Sequence, residues 1–227
     1  MGSYLIYLAI IMIVPIYAQY KVKSTYKKYS KVASTTGVSG AEVARRILDA
    51  NGLQNVAVKE TPGLLSDHYN PMSKTVNLSS SNYHNPSIAG AAVAAHEVGH
   101  AIQDKEGYAA LRLRHALVPV ANISSKMAWV FIMLGFFISS LSSSLLLIGI
   151  ILFAAGVVFQ LVTLPVEFNA SSRAMDQVVS LGLISNSEER DAKKVLNAAA
   201  MTYVAAAAVA VLELVRLILI FTNSNRD

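Results

Sequence analysis

The chain of 227 residues is 54% apolar and 15% charged, has a mean hydropathy of +0.46 and contains no cysteine. This composition excludes an ordinary soluble domain, a disulfide framework and a thiolate metal site, and the long apolar runs favour an integral membrane protein. The net charge of +5 does not indicate nucleic-acid binding, because five lysines crowd the end of the first apolar run, where basic residues set membrane orientation.

The first apolar segment, from Tyr4 to about Tyr20, predicts an N-terminal transmembrane anchor over residues 1–20. A cleaved signal peptide is the alternative, but no basic region precedes the segment, and Ile16 stands where a cleavage site needs a small residue. The lysines follow the segment instead, at Lys21, Lys23, Lys27, Lys28 and Lys31. Because basic residues favour the cytoplasmic side, we expect the next domain to lie there.

Residues 21–126 are expected to form this cytoplasmic domain. Ser39 predicts the start of a helix over Gly40–Ala50, which Asn51-Gly52 would end. Brief alternation of side chains predicts strands at residues 55–60 and 74–79. An extended segment beside a metal-binding helix could pair with the backbone of a peptide substrate.

The helix that begins after Ser87 carries the motif on which the functional interpretation depends. Its sequence HEVGH, at residues 96–100, is the H-E-x-x-H pattern of zinc peptidases. Because positions i and i+4 share one helix face, His96 and His100 can bind the same Zn²⁺. Glu97 then lies beside the metal, where it can act as a general base. The alternative is a buried helix with two hydrogen-bonded histidines and a paired glutamate.

Residues 127–166 carry no charge, and this run of about forty residues is long enough for two spans. We predict a transmembrane hairpin over residues 127–164, with its turn at residues 139–144 on the far side of the membrane. The hairpin returns the chain to the side of the HEVGH helix, where Glu167 follows. This position makes Glu167 the predicted third zinc ligand, in a helical segment over residues 165–198. The alternative is an interfacial glutamate that a helix dipole favours.

The last apolar run predicts a C-terminal transmembrane helix over residues 199–222. Glu213 and Arg216 are three residues apart in this run, so they can pair on one helix face. Ionisable residues at membrane depth are functional candidates, and a transporter is one such interpretation. We favour an anchoring pair near the far interface.

Several segments resemble the YugP-type membrane zinc metallopeptidases. They are DHYNP at 67–71, KTVNLS at 74–79, AAVAAHEVGHAIQ at 91–103, EFNAS at 167–171 and TYVAAA at 202–207. The order of motif helix, membrane hairpin and later glutamate is more distantly similar to HtpX-type and CAAX prenyl proteases. The resemblance implies that both motif histidines and Glu167 bind zinc and that Glu97 is the general base. Ser171 stands where the HtpX pattern has an aspartate, so Ser171 or Asn169 is expected to supply the missing hydrogen bond.

Together these patterns predict a mostly α integral membrane protein with about four transmembrane helices and a small α+β zincin-like catalytic domain built on the HExxH helix. We expect a gluzincin-like zinc metalloendopeptidase of a prokaryotic cell membrane, with its active site facing the cytoplasm. Its partners would be the lipid bilayer and membrane-associated or misfolded polypeptides, with no nucleic acid. The oxyanion donor stays open among six candidates, with His84 examined first: His68, Tyr69, Tyr83, His84, Arg173 and Tyr203. The alternative is a catalytically inactive zinc-binding membrane scaffold, which would not need Glu97.

Overall fold

A computed structural model describes residues 2–138 and 142–224. The helices are α1 (Gly2–Tyr29), α2 (Gly40–Ala50), α3 (Ser80–His84), α4 (Ile88–Glu106), α5 (Ala109–Phe137), α6 (Ser142–Ser180) and α7 (Glu189–Ser224). The strands are β1 (Ala57–Thr61), β2 (His68–Asn70) and β3 (Thr75–Ser79). This confirms the prediction of a mostly α protein with a small sheet. The turn predicted at residues 139–144 lies partly outside the described residues, since 139–141 are not among them.

Four helices in the described part of the chain are long and apolar enough to cross a membrane. Their candidate spans are Tyr4–Tyr29, Ala109–Phe137, Ser143–Ser180 and Glu189–Asn223. These helices run beyond the apolar segments that predicted them: α1 continues through the lysines, and α6 continues past Glu167. Lysine, glutamate and alanine are good helix formers, so a charged residue ends an apolar run without ending the helix.

The described residues divide into two compact units, of which the first comprises residues 16–111 and 166–202. Its hydrophobic core centres on the packing of α2 against α4, under β3. The fully buried side chains of this core include Val43, Ile47, Leu48, Val76, Leu78 and Val98. Alanines on several sides of α4 are also buried, which places the HEVGH helix in the interior of the unit.

The two helix starts predicted in this unit are confirmed by their caps. The Ser39 side chain accepts a hydrogen bond from the Glu42 backbone at the start of α2. The Ser87 side chain accepts one from the Gly90 backbone at the start of α4. Such caps satisfy backbone N–H groups that the first turn of a helix leaves without partners. Helix α4 ends where Gly107 adopts a left-handed conformation with φ of 64°, which glycine adopts without steric strain.

The three strands form one sheet in the order β1-β3-β2, so that β2 is an edge strand. Strand β1 pairs with β3 in parallel, and β2 pairs with β3 antiparallel, with Tyr69 opposite Val76. The strands predicted at 55–60 and 74–79 are confirmed as β1 and β3, with bounds shifted by one or two residues. Strand β2 was not predicted. Asp67 fixes the start of β2 by accepting hydrogen bonds from the backbone and hydroxyl of Ser79.

The second unit comprises the described parts of residues 1–15, 112–165 and 203–227. The predicted ion pair is present in α7, where the Arg216 guanidinium lies 2.7 Å from the Glu213 carboxylate. The guanidinium also lies 5.7 and 5.2 Å from the ring centroids of Tyr4 and Tyr7. Aromatic faces attract a cation, so this cluster accommodates a charge within a candidate span.

Candidate metal centre

Helix α4 brings the two motif histidines onto one face, where their ring centroids are 4.8 Å apart. Helix α6 brings Glu167 against them. The Glu167 Oε2 lies 3.2 Å from His96 Nε2 and 3.7 Å from His100 Nε2. These side chains are only 14%, 11% and 3% exposed for His96, His100 and Glu167. The three predicted ligands therefore meet in one buried cluster, the only such group of three in the described part of the chain.

The donor atoms of this cluster fit a zinc ion. Each residue offers one ligand atom, and the three atoms lie within 4.8 Å of one another. Zinc binds histidine nitrogen and carboxylate oxygen at about 2.0–2.2 Å, so tetrahedral ligands are about 3.3–3.6 Å apart. The measured separations of 3.2 and 3.7 Å bracket that range. Two imidazoles and one carboxylate are also a ligand set that catalytic zinc uses.

A close backbone approach lets α6 deliver Glu167 to α4. A Cβ atom at Gly99 would lie 2.6 Å from the Ala170 carbonyl oxygen and 3.2 Å from the Ala170 Cα. Real Cβ atoms do not approach backbone atoms that closely, so residue 99 must be glycine at this helix separation. Ala170 is fully buried at the contact. The glycine inside the HEVGH motif thus sets the distance between the histidines and Glu167.

Gln103 orients the second histidine. Its side-chain Oε1 lies 3.0 Å from His100 Nδ1. The Nε2 of the same amide donates to the Val166 carbonyl at 2.8 Å and to Asn169 Oδ1 at 2.9 Å. Since the amide presents its oxygen to the ring, it favours a proton on His100 Nδ1, so that Nε2 is the nitrogen that would bind a metal after losing its own proton. This is the tautomer that a metal ligand requires.

The network continues from Asn169 to the surface. Arg173 Nε donates to Asn169 Oδ1 at 2.7 Å, and the Arg173 guanidinium lies 2.7 Å from the Glu106 carboxylate. The other motif histidine has a separate partner, because the Ser171 hydroxyl lies 3.2 Å from His96 Nδ1. Both residues expected to replace the HtpX-type aspartate thus contact the cluster: Ser171 directly and Asn169 through Gln103.

One oxygen of the Glu97 carboxylate is bound to the sheet. Its Oε2 accepts a 2.9 Å hydrogen bond from the Tyr69 backbone N–H, which belongs to edge strand β2. The Tyr69 phenol donates to Asp104 at 2.7 Å, and the Lys74 ammonium lies 2.6 Å from the same carboxylate. Burial and the hydrogen bond to Asp104 raise the pKa of Tyr69, which keeps the phenol protonated. These contacts tie the strand to α4 beside the Glu97 carboxylate.

Negative charge dominates the surroundings of His100. Burial lowers the pKa of its imidazole, but the hydrogen bond to Glu167 and the charges of Glu97 and Glu167 together raise it above its usual value. The cluster therefore attracts positive charge, and a proton and a metal cation would compete for His100.

The six oxyanion candidates have different surroundings. Tyr69 and Arg173 belong to the contacts described above. The exposed His68 ring contacts the Ser66 carbonyl at 2.8 Å. The His84 ring lies 3.2 Å from the Glu60 carboxylate and packs edge-on against Tyr83. Tyr203 lies in the second unit. The contacts of His84, the first of the candidates, are thus with residues other than the metal cluster.

Two contacts of the site were not predicted from the sequence. Gln103 lies three residues after His100, so its place on the same helix face was available as a signal. The backbone of Tyr69 had no such signal, because the partner of a main-chain N–H depends on the sheet and not on residue type.

Candidate membrane spans, an HExxH helix and a carboxylate beside its histidines are together typical of membrane metallopeptidases. Comparison with known families finds the same class. The chain belongs to the family described as "Putative neutral zinc metallopeptidase", whose profile matches residues 4–222. It is similar to the "Putative membrane protease YugP" of Bacillus subtilis (strain 168), with 53% identity over 211 residues, which cover 93% of each chain. No solved structure matches the chain. The resemblance to the YugP-type family is confirmed, and zinc is the metal of that family.

Proposed function

We propose that the chain is a zinc metalloendopeptidase of gluzincin type, in which His96, His100 and Glu167 bind the metal. The observation that carries this proposal is the set of three donor atoms within 4.8 Å, with Glu97 next to one of them on α4. Structural zinc sites have four protein ligands, whereas catalytic sites have three and leave a position for water or substrate. The three-residue cluster in the described chain matches the catalytic pattern.

The proposed mechanism assigns proton transfer to Glu97. A zinc ion in this site would supply a Lewis acid that makes a water molecule more acidic and polarises the scissile carbonyl. The Tyr69 N–H holds Glu97 Oε2, which leaves the other carboxylate oxygen to accept the proton of the attacking water. Glu97 then donates this proton to the leaving amine. Gln103 and Ser171 keep the two imidazoles in the ligand orientation throughout.

Strand β2 is the proposed docking edge for the polypeptide substrate. It is the outer strand on one side of the sheet, and its backbone reaches Glu97 through Tyr69. An extended substrate could pair with such an edge by main-chain hydrogen bonds, which are independent of side-chain identity. This arrangement suits a protease that cleaves misfolded or partly unfolded segments.

We further propose that cleavage occurs at the cytoplasmic face, on membrane-associated polypeptides. The support is in the sequence: five lysines follow the apolar run of α1, and Glu167 follows directly after the uncharged residues 127–166. Basic residues flanking a span favour the cytoplasm. The proposed domains are an anchor at 1–20, a zincin-like domain at 21–126, a hairpin at 127–164, a ligand-bearing segment at 165–198 and a last span at 199–222.

The test compares the wild type with Glu97→Gln, both purified in detergent, by zinc content per chain and by cleavage of casein. Glu42→Gln is a matched control, because Glu42 is an exposed helix residue paired with Arg46. We expect zinc in all three proteins, cleavage by the wild type and the control, and at least a 100-fold loss in Glu97→Gln, since general acid–base catalysis contributes about 10²–10⁴-fold. Zinc with equal cleavage in Glu97→Gln would remove Glu97 as the base. A wild type without zinc would refute the ligand set.

A further inference from the structure

A cavity of about 530 Å³ lies between the polar parts of α1 and α7, within the first unit. Each helix lines it with residues at the spacing i, i+3, i+7, which places them on one face. The lining includes Lys21, Ser24 and Lys28 from α1, and Lys194, Asn197 and Met201 from α7. Two helices thus present matched stripes, polar except for Met201, to a single cavity.

The cavity carries a positive charge that its own residues do not neutralise. Among the described residues, three lysines line it and no acidic side chain does. Asp191 lies 2.7 Å from the Lys194 ammonium and offsets one charge from the side. Lys21 and Lys28 stay as two cationic groups on one stripe. Like charges around one space repel each other, and an anion between them removes that repulsion.

The ring of Tyr29 holds two of these cations close together. The Lys28 and Lys194 ammonium groups lie 5.1 and 5.9 Å from its centroid. The Lys194 ammonium is also 3.3 Å from the Tyr29 hydroxyl, which itself donates to Asp191 at 3.0 Å. Tyr29 is buried, so its position is set by packing. Cation–π attraction therefore arranges the lysines before any ligand binds.

One end of the cavity lies next to the apolar runs of both helices. Lys21 directly follows the apolar segment of α1, and Met201 belongs to the apolar run that begins at Ala199. The other end, at Lys28 and Lys194, is polar. Met201 is 47% exposed, so it offers apolar surface beside the cationic groups. A ligand that matches this lining has an anionic group joined to an apolar group.

We propose that this cavity binds the phosphate headgroup of an anionic membrane phospholipid. The lysine ammonium groups would donate to the phosphate oxygens, and the Asn197 amide to headgroup oxygens. The acyl chains would leave past Met201 along the apolar runs. Basic pockets between membrane helices on the cytoplasmic side are where such headgroups bind. This site is separate from the metal cluster and does not depend on peptidase activity.

The test measures binding of a fluorescent phosphatidylglycerol to the full chain in neutral detergent, with phosphatidylcholine of the same chain length as the comparison. The cavity variant is Lys21→Gln with Lys28→Gln. Its matched control is Lys23→Gln with Lys27→Gln, which removes the same charge from exposed positions of α1 outside the cavity. Zinc content and circular dichroism check that both variants are folded.

We expect the wild type to prefer phosphatidylglycerol to phosphatidylcholine. The cavity variant loses two hydrogen bonds to a charged group, so it should bind phosphatidylglycerol at least about 100-fold more weakly. The control should stay close to the wild type. Equal losses in both variants would show diffuse surface attraction and overturn the proposal. Displacement of the lipid by inorganic phosphate as effectively as by unlabelled phosphatidylglycerol would show a phosphate-ion site, and would also overturn it.

Discussion

Gly99→Ala tests the contact that brings Glu167 to the two histidines. The added Cβ would lie 2.6 Å from the Ala170 carbonyl oxygen, whereas ordinary contacts begin at 3.4 Å. The helices must therefore separate locally by about 0.8 Å, because the opposing atom is backbone and cannot rotate away. Overpacking of this kind costs about 1–3 kcal/mol. Against that cost, alanine gains about 1 kcal/mol in helix propensity over glycine, so the net loss of stability should be small.

The effect on the metal site should exceed the effect on stability. Metal–ligand distances tolerate deviations of about 0.2 Å, and a shift of about 0.8 Å is several times larger. Glu167 lies three residues before Ala170 on α6, so moving Ala170 moves the carboxylate with it. We expect Gly99→Ala to weaken zinc binding at least ten-fold, and to reduce cleavage further because misplacement by about 1 Å can cost about 100-fold in rate.

The assay is competition for zinc between the purified protein and a chelator of known affinity, followed by casein cleavage at saturating zinc. Gly156→Ala is the matched control, since a Cβ there meets only the Ser125 hydroxyl, at 3.6 Å. It should leave zinc affinity unchanged. If Gly99→Ala binds zinc as tightly as the wild type does, the helix separation does not control the ligand geometry, and the reasoning fails.

Gln103→Leu should weaken zinc binding about 10–100-fold, because it removes the partner that fixes the His100 tautomer, while Gln54→Leu at an exposed position should not. Unchanged affinity in the chelator competition would show that Gln103 only packs. Glu188→Gln tests the pH dependence of stability. Burial raises the pKa of Glu188, but hydrogen bonds from Ser185 and Thr35 have the larger effect and bring the pKa below its usual 4.5. A lowered pKa stabilises the fold above about pH 4.5, and this contribution is lost as the pH falls through the lowered value. The wild type should therefore lose more thermal stability than Glu188→Gln on acidification from pH 7 to below 4.5, and parallel curves would contradict this.

Local signals in the sequence predicted α2, β1 and β3 of the first unit, but neither α3 nor β2. Helix α2 has the predicted bounds because Ser39 and Gly52 act within one turn of its ends. Strand β2 was missed because three residues are too few to show alternation, and pairing with β3 holds it in place. An edge strand of this length depends on tertiary contacts that no local pattern records.

The spans predicted from hydropathy are shorter than the helices that contain them. Hydropathy predicted the first segment to end near Tyr20, but α1 continues to Tyr29 through lysines that favour helix. Helix α7 begins at Glu189, where residues 185–189 predict a capped helix start, and it continues without a break into the apolar run that starts at Ala199. The apolar run measures the length that suits a bilayer, and helix length is decided separately by propensity and packing.

Part of the metal cluster could be predicted from the sequence alone. The spacing of His96 and His100 follows from helix geometry alone. The third residue, Glu167, is 71 positions from His96 and was predicted from the return of a membrane hairpin. Its approach also needs a close contact between the α4 and α6 backbones, which Gly99 permits because it has no side chain. That requirement is visible only when α6 is in place.

The position of each residue around the axis of helix α4 determines what it contacts. His96, Gly99, His100 and Gln103 follow the spacing i, i+3, i+4, i+7, so one stripe carries two proposed ligands, the close contact and the orienting amide. The facing stripe of helix α6 comprises Glu167, Ala170, Ser171 and Ala174, which are the third proposed ligand, two contact residues and a buried core residue. Glu97 is one residue from His96, about 100° around the helix, and therefore meets β2 instead of α6. A single helix thus carries the two proposed histidine ligands on one side and the proposed proton acceptor on the next, and the substitution at Gly99 should affect the first without displacing the second.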